Sequence, residues 1–385
     1  MTAIMSNFSP SYSEEPKLTY DRRVVAPQTI LKVSSAPQKG KPDQIQQIPS
    51  VGENPDASAA QASYGDIPVI DFSRLADDAD AVCKQLGDAA AQWGAFQVIN
   101  HGIPLDTMQK IESQGMNFFR SPSDFKLAAG SVYFPLNAEY PNSLLQRVER
   151  VAFTPGPKWK FQAKDINSLE DTLSRIWPDG NPLLREEMRK YLRGSEALNV
   201  QIMQLLARYL DLGEDFFTQH FHRAQDTWPR FAVRWNFYPS HPNPSENPGA
   251  KGHTDPGTLT ILMQDRVGGL RIRRDGRWYG VKPIEGALVV NMGDSLEAWT
   301  NGRLKSVIHE VQVNTKLDRL SMINFVSPEP SLPLSPPAQL MDEDHPRVYR
   351  EPLTYENLME KRAEDIVDDG GSKAVRILDH FKIRK

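Results

Sequence analysis

The first half of the chain shows the periodicity of amphipathic helices, with apolar residues every three or four positions. These apolar stripes cover residues 82–93, 108–118 and 184–210. Short apolar runs at 67–71 and 96–100 predict strands before and after the first helix. Residues 130–180 are rich in aromatic side chains but show no period, and we predict that this segment is irregular.

The period changes from helical to two near Trp228. In residues 231–238, alternation places Arg234, Asn236 and Tyr238 on one face of a strand. Further short runs follow at regular spacing, at residues 258–264, 269–273, 277–282, 287–292, 305–313 and 319–326. Strands at this spacing predict a sandwich or barrel. We therefore predict a mixed α+β fold, in which a jelly-roll core is backed by a helical N-terminal layer.

The patterning divides the chain into four regions. Residues 1–64 contain seven prolines and no sustained apolar period, which predicts a largely disordered arm. Residues 65–225 are predicted to form a helical region that packs on the core, and residues 226–330 the core itself. Residues 331–385 are predicted to be a C-terminal extension that returns to helix from Thr354.

Composition excludes several classes of function. The 45 Lys and Arg residues against 49 Asp and Glu residues give a net charge of −4, which disfavours binding to nucleic acid or anionic lipid. No run of eighteen apolar residues predicts a membrane span, and the N-terminus does not resemble a secretory signal. The single cysteine, Cys83, suits a reducing compartment. We expect a cytoplasmic, monomeric protein.

Three side chains have the spacing of a metal site. In His253-Thr254-Asp255 an imidazole and a carboxylate share one face of an extended segment, and His309 lies 56 residues later within an apolar strand. Two imidazoles and one carboxylate leave three octahedral positions open, the arrangement of non-haem Fe(II) oxygenases. The alternatives are a chance surface pair for His253 and Asp255, and a hydrogen-bonded core histidine for His309. His101, which precedes a predicted turn, is assigned a structural role.

A second pair of polar side chains follows on the next predicted strand. Arg319 and Ser321 begin ten residues after His309, and alternation places Phe325 on the same face. A guanidinium that points into an apolar barrel needs an anion, and its planar fork matches a carboxylate. The alternative is an internal salt bridge. Together with the predicted metal ligands, this pair favours a functional site.

Ordered sequence blocks across residues 66 to about 330 resemble those of a known family. The blocks are Ile67-Pro68-Val69-Ile70-Asp71, Trp93-Gly94-Ala95-Phe96, Asn100-His101-Gly102, Asn236-Phe237-Tyr238-Pro239, His253-Thr254-Asp255-Pro256, Val267-Gly268-Gly269-Leu270, Val290-Asn291-Met292-Gly293-Asp294, Thr300-Asn301-Gly302 and Arg319-Leu320-Ser321. The chain resembles the plant-type 2-oxoglutarate/Fe(II)-dependent dioxygenases of the isopenicillin-N-synthase-like superfamily. This resemblance implies a double-stranded β-helix, another name for the jelly roll.

The resemblance also implies roles for individual residues. It implies that the iron ligands are His253, Asp255 and His309, and that the residues at the cosubstrate 2-oxoglutarate are Arg319, Ser321, Asn236 and Tyr238. Arg319 and Ser321 are expected to hold its distal carboxylate. The family usually has arginine after the second histidine, where this chain has Glu310. Strand alternation places Glu310 on the face opposite His309, so iron binding is expected to survive.

The resemblance implies an enzyme that uses O2, with ascorbate in support, and releases succinate and CO2. The expected reaction is hydroxylation or desaturation of a small plant metabolite, either a gibberellin-type diterpenoid acid or a flavonoid-type phenolic. Two alternatives stay open. One is an Fe(II) oxidase of the same superfamily that does not use 2-oxoglutarate, and the other is a non-catalytic protein that binds small molecules.

Aromatic and basic side chains are the candidates for substrate contacts. Phe325 follows Arg319 by six residues on the same face, and the family often places a stacking aromatic there. Arg234 is a further candidate, and Phe134, Tyr133 and Trp159 are weaker ones because aromatic residues in loops usually pack. For Arg234 the alternative is a salt bridge to a nearby carboxylate.

Overall fold

The computed structural model describes residues 64–136, 148–153, 169–220, 230–243, 249–369 and 376–384. The predicted N-terminal arm lies outside the described residues except for Tyr64. The helices are α1 (Ala79–Gln92), α2 (Leu105–Arg120), α3 (Ser123–Ala128), α4 (Leu169–Ile176), α5 (Pro182–Tyr209), α6 (Asp294–Trp299) and α7 (Tyr355–Asp369). None of the described helices has both the length and the apolar character needed to cross a membrane.

Within the described residues, twelve strands form two sheets. The strands are β1 (Val69–Asp71), β2 (Ala95–Ile99), β3 (Tyr133–Phe134), β4 (Glu149–Ala152), β5 (Arg230–Tyr238), β6 (Ala250–His253), β7 (Leu259–Gln264), β8 (Leu270–Arg274), β9 (Arg277–Gly280), β10 (Leu288–Met292), β11 (Ile308–Val311) and β12 (Arg319–Ser327). The major sheet has the order β1-β2-β10-β7-β12-β5-β4-β3, and the minor sheet β6-β11-β8-β9. Only the β1–β2 pair is parallel among the described pairs.

Two apolar cores lie on the two faces of the major sheet. The inner core joins side chains of both sheets, including Leu262, Val289 and Ile323 of the major sheet with Leu270 and Ile272 of the minor sheet. Because strand side chains alternate, their neighbours on the same strands point to the opposite face. The inner core shows that the sheets pack face to face, which confirms the predicted jelly roll.

The outer core packs the helical layer on the other face of the major sheet. Buried side chains of α1, α2 and α5 lie in the same cluster as the outward residues of β5, β7, β10 and β12. Helix α2 approaches closely at Gly115, where an added Cβ would meet Leu320 at 2.7 Å and Trp235 at 3.1 Å. The N-cap of helix α5 is Asn181, whose side chain accepts a hydrogen bond from the backbone N–H of Leu184. The three predicted helices are therefore confirmed.

The prediction of an irregular segment at residues 130–180 is wrong for its described parts. It contains strands β3 and β4, which extend the major sheet beyond β5, and helix α4. Helix α4 spans eight residues and buries Thr172, Leu173 and Ile176. The two strands, of two and four residues, and the helix of eight residues are too short for their periodicity to be recognised in the sequence. Strand β6 and helix α6 were missed for the same reason.

Candidate active site

The minor sheet brings the predicted metal ligands together. His253 ends β6 and His309 lies in β11, where the two residues are direct cross-strand partners. Asp255 follows two residues after His253, and its carboxylate oxygens lie 3.7 Å from His253 Nε2 and 3.6 Å from His309 Nε2. One ligand atom from each residue lies within 4.8 Å of the others.

Hydrogen bonds orient all three side chains. His253 Nδ1 donates to the Lys251 carbonyl at 2.7 Å, and His309 Nδ1 donates to the Val307 carbonyl at 3.2 Å. Each imidazole therefore presents Nε2 to the centre of the cluster, which is the usual role of such outer partners. The Thr260 hydroxyl donates to Asp255 Oδ2 at 2.6 Å and fixes the carboxylate.

The electrostatics favour the protonation states that a metal requires. Burial, with the neighbouring His309, lowers the pKa of His253 to about 3, so its imidazole is neutral at physiological pH. Burial alone would raise the pKa of Asp255, but His309, His253 and the Thr260 hydroxyl outweigh it and lower that pKa. Two imidazoles and one carboxylate form a donor set that fits Fe(II).

Thr254, the residue between His253 and Asp255, forms hydrogen bonds with two distant elements. Thr254 is fully buried, and its hydroxyl donates to Asp294 Oδ2 at 2.9 Å. Its carbonyl accepts a hydrogen bond from Arg362 Nη1 at 2.7 Å. Burial raises the pKa of Asp294 to about 7. The sequence patterns did not indicate Arg362, which lies in α7, about a hundred residues after Thr254.

Strands β5 and β12 form a second cluster on the inner face. Their register pairs Arg319 with Tyr238 and Ser321 with Asn236, so the four side chains are neighbours. Arg319 is 0% exposed, and its guanidinium carbon lies 5.1 Å from the centre of the Tyr238 ring. Its contacts with Ser321 Oγ at 3.3 Å and Gln264 Oε1 at 3.4 Å are long.

No carboxylate in the described part of the chain forms an ion pair with Arg319. Asp265 is near enough to affect it, but Asp265 Oδ2 accepts from the backbone N–H of Leu320 at 2.6 Å, and Oδ1 from that of Val267 at 3.0 Å. Burial raises the pKa of Asp265, and Arg319 opposes this shift. The structure therefore does not provide the internal salt bridge that was the alternative for Arg319.

Glu310 lies on the outer face of the minor sheet, as alternation predicted. It forms an ion pair with Arg271, its direct cross-strand partner on β8, and both side chains are only partly exposed. His309, one residue away, points inward to Asp255. The negative charge of Glu310 is thus balanced by Arg271 on the neighbouring strand β8.

We expect Glu310→Arg to leave iron affinity nearly unchanged but to lower the stability of the fold. The new guanidinium would lie opposite Arg271, and the loss of the pair plus like-charge repulsion should cost about 1–2 kcal/mol. Thermal unfolding and iron titration measure the two effects separately. The charge-swapped double variant Arg271→Glu/Glu310→Arg is expected to recover the stability. A large loss of iron occupancy in the single variant would contradict the strand register.

The candidate substrate residues Phe325, Arg234 and Phe134 lie on the same inner face, together with a residue that sequence reasoning missed. The Arg234 guanidinium lies 5.3 Å from the centre of the Phe325 ring, and that of Arg150 lies 5.1 Å from the Phe134 ring. Phe134 and Arg150 are cross-strand partners, and Arg150 is in turn opposite Asn236. Arg150 could not be found from the sequence because its strand, β4, was not predicted.

Two of the three weaker aromatic candidates, Tyr133 and Trp159, are not found in this group. Tyr133 packs in the outer core, where its hydroxyl donates to the buried Glu149, which also pairs with Lys126 at 2.7 Å. Trp159 lies outside the described residues. His101 is buried and structural, since its Nε2 donates to the Gly286 carbonyl at 2.8 Å and burial lowers its pKa.

Arg234 lies near two other arginines, Arg150 and Arg362. No carboxylate among the residues that the structure describes forms an ion pair with it. Burial, with Arg150 and Arg362 nearby, lowers the pKa of Arg234 to about 10, whereas Tyr355 and Asp255 partly oppose this shift. Among the described residues, the salt bridge considered as the alternative for Arg234 is therefore absent.

Two family models match the chain, and one of them spans this site. The model of the 2OG-Fe(II) oxygenase superfamily matches residues 229–328, and the model of the non-haem dioxygenase in morphine synthesis N-terminal matches residues 67–160. The first range contains the metal cluster and Arg319.

The chain is also similar to characterised plant proteins. It is 33% identical over 295 residues to the bi-functional coumaroyl CoA and feruloyl CoA ortho-hydroxylase Diox4 of Ruta graveolens, covering 74% of this chain and 75% of that protein. It is 33% identical over 290 residues to feruloyl CoA ortho-hydroxylase 2 of Arabidopsis thaliana, covering 74% and 76%.

Solved structures agree with these relatives. JOX2 in complex with 2OG, Fe and JA superimposes with a TM-score of 0.67 at 27% identity, covering 85% of this chain and 92% of JOX2. The dioxygenase for auxin oxidation from rice superimposes with a TM-score of 0.65 at 28% identity, covering 82% and 100%. The chain therefore belongs to the plant-type 2-oxoglutarate/Fe(II)-dependent dioxygenases, the family that its sequence motifs resemble.

Proposed function

We propose that this dioxygenase hydroxylates a small plant organic acid, with Fe(II) held by His253, Asp255 and His309. The cluster of two imidazoles and one carboxylate carries the proposal, because it leaves open positions for cosubstrate and O2. Bound Fe(II), with 2-oxoglutarate and O2, supplies the oxidation of a C–H bond, and succinate and CO2 are released.

Arg319 and Ser321 bind the distal carboxylate of 2-oxoglutarate in this proposal, with Asn236 and Tyr238 beside them. The support is a fully buried guanidinium whose contacts among the described residues are only neutral and long. A buried cation is costly unless an anion pairs with it, and a guanidinium binds a carboxylate through two parallel hydrogen bonds. The cosubstrate supplies that anion.

The substrate is an acid in this proposal because of the charges around Arg234. Arg150 and Arg362 add positive charge to a partly buried site in which Asp255 is committed to the metal cluster. An anionic group on the substrate would offset the repulsion among these guanidinium groups. The rings of Phe325 and Phe134 offer a flat apolar surface for the body of the substrate.

The relatives support hydroxylation and an anionic substrate, and the negative charge of their CoA thioester substrates lies on the CoA phosphates, since a thioester has no free carboxylate. The curated relatives are named as ortho-hydroxylases of feruloyl CoA and coumaroyl CoA, and the similar solved structures are a JA complex and an enzyme of auxin oxidation. We propose a phenolic or other cyclic acid, and hydroxylation in preference to desaturation. A gibberellin-type diterpenoid acid satisfies the same charge requirement.

The test is succinate formation by the purified enzyme with Fe(II), O2, 2-oxoglutarate and ascorbate. A panel pairs each candidate acid with its uncharged methyl ester, so that the acid group is the only variable. We expect substrate-stimulated succinate formation and a hydroxylated product with acids but not with esters. Hydroxylated product without succinate would indicate an oxidase that does not use 2-oxoglutarate, and absence of turnover with every compound would favour a binding protein.

We expect Arg234→Gln to weaken substrate binding and lower hydroxylation by about ten-fold or more, because it removes the cation that contacts the acid. Iron occupancy and slow decarboxylation of 2-oxoglutarate without substrate should persist. Arg273→Gln is the matched control, since Arg273 is exposed on the outer face of β8. If decarboxylation without substrate falls in step with hydroxylation, Arg234 serves the cosubstrate or the fold and the assignment is wrong.

A further inference from the structure

Gln264 lies beside the proposed cosubstrate site and has no role in the family motifs quoted above. It ends β7, where it is the cross-strand partner of Ser321. Alternation places Gln264 on the inner face, because Leu262 belongs to the inner core and Met263 to the outer core. One row of cross-strand partners therefore runs through Arg150, Asn236, Ser321 and Gln264.

The hydrogen bonds of this row are incomplete. Gln264 Oε1 accepts from Arg319 Nη2 at 3.4 Å, whereas Gln264 Nε2 is buried and donates to no atom of the described residues. Arg319 Nε is a second buried donor that has no acceptor among the described residues. Buried donors are nearly always paired, since an unpaired one costs the free energy of desolvation. Two such donors on side chains that contact each other indicate that an acceptor is missing beside them.

The protein itself does not supply this acceptor. Asp265 is the nearest carboxylate, but both of its oxygens already accept hydrogen bonds from the backbone N–H groups of Leu320 and Val267. A carboxylate from outside has two oxygens and can accept about four hydrogen bonds. Arg319 can donate two of them, the Ser321 hydroxyl one and the Gln264 amide one.

We propose that Gln264 donates a hydrogen bond to the distal carboxylate of 2-oxoglutarate and so helps the enzyme to select dicarboxylic keto acids. This inference rests on the proposed function, in which Arg319 and Ser321 bind that carboxylate. Gln264 also fixes one arm of the guanidinium through Oε1, so it orders the donor fork before the cosubstrate arrives.

The experiment compares two keto acids that differ only at the distal end. The Fe(II)-loaded enzyme is titrated calorimetrically without O2, first with 2-oxoglutarate and then with 2-oxovalerate, which has a methyl group in place of the distal carboxylate. We expect Gln264→Met to raise the Kd of 2-oxoglutarate about ten-fold, because a hydrogen bond to a charged group is lost. The Kd of 2-oxovalerate should change less than about two-fold, because it makes no contact with Gln264.

Gln97→Met is the matched control variant. Gln97 is another buried inner-face glutamine, opposite Val289 on β10, and its Oε1 is likewise buried with no partner in the described residues. We expect this variant to bind both keto acids as the wild type does. Should Gln264→Met fail to fold, Gln264→Glu serves instead. Its carboxylate would repel the cosubstrate and raise the Kd of 2-oxoglutarate alone.

The outcomes separate this inference from the proposed function. If the wild type does not bind 2-oxoglutarate, the cosubstrate assignment fails. If the wild type binds it and both variants of Gln264 keep the Kd of 2-oxoglutarate within about two-fold, only the role of Gln264 is wrong. An equal loss of affinity for both keto acids would likewise overturn it, since that pattern indicates damage to the metal end of the site.

Discussion

Replacing His253 or Asp255 with alanine is expected to abolish iron binding and turnover while the fold is retained. Each of these residues supplies one of three clustered ligands, and two remaining ligands cannot hold Fe(II) against water. Iron content after anaerobic loading measures the first effect, and succinate formation measures the second. His253 is the last residue of β6, and Asp255 lies after that strand. Circular dichroism should therefore show unchanged secondary structure in either variant.

Two further variants make this prediction sharper. Thr260→Val removes only the hydroxyl that donates to Asp255, so iron affinity should fall by an intermediate factor of about 10–100. His101→Gln changes a buried histidine outside the cluster and should leave iron occupancy unchanged. Full activity in purified His253→Ala or Asp255→Ala protein would exclude the assigned metal site.

Local alternation along single strands was enough to predict much of the candidate site. His253 and Asp255 lie two residues apart, and so do Arg319 and Ser321, so a period of two places each pair on one face without knowledge of the fold. The same rule correctly placed Glu310 opposite His309. Alternation could not predict that His253 lies opposite His309, because this contact depends on the register of β6 against β11.

The residues that the sequence did not reveal all reach the site from elsewhere in the chain. Arg150 lies on a four-residue strand, Arg362 on the C-terminal helix, and Gln264 at the end of β7. Each is an ordinary polar residue in its local context. Its role appears only when the fold brings it to the site, and contact between distant segments leaves no mark in local periodicity.

Arg319→Met is expected to weaken 2-oxoglutarate binding by about 100-fold, because a buried charge pair is worth roughly 2–5 kcal/mol when one partner is removed. Without cosubstrate, the same variant should be as stable as the wild type or more stable. Arg319 is fully buried and forms no ion pair with a carboxylate of the described residues. Replacing such a charge with an apolar side chain of similar volume removes a cost of desolvation. Calorimetric titration and thermal unfolding measure the two quantities.

Weaker binding of 2-oxoglutarate together with equal or higher stability distinguishes a binding role of Arg319 from a structural one. A structural arginine would lose stability when replaced and would affect all ligands alike, whereas a residue held for the distal carboxylate should affect 2-oxoglutarate alone. The variant should therefore bind 2-oxovalerate as the wild type does, so that the preference between the two keto acids disappears. Arg273→Met, on the outer face of β8, is the control and should keep that preference. An unchanged Kd and KM for 2-oxoglutarate in Arg319→Met would mean that the cosubstrate is held elsewhere or is not used.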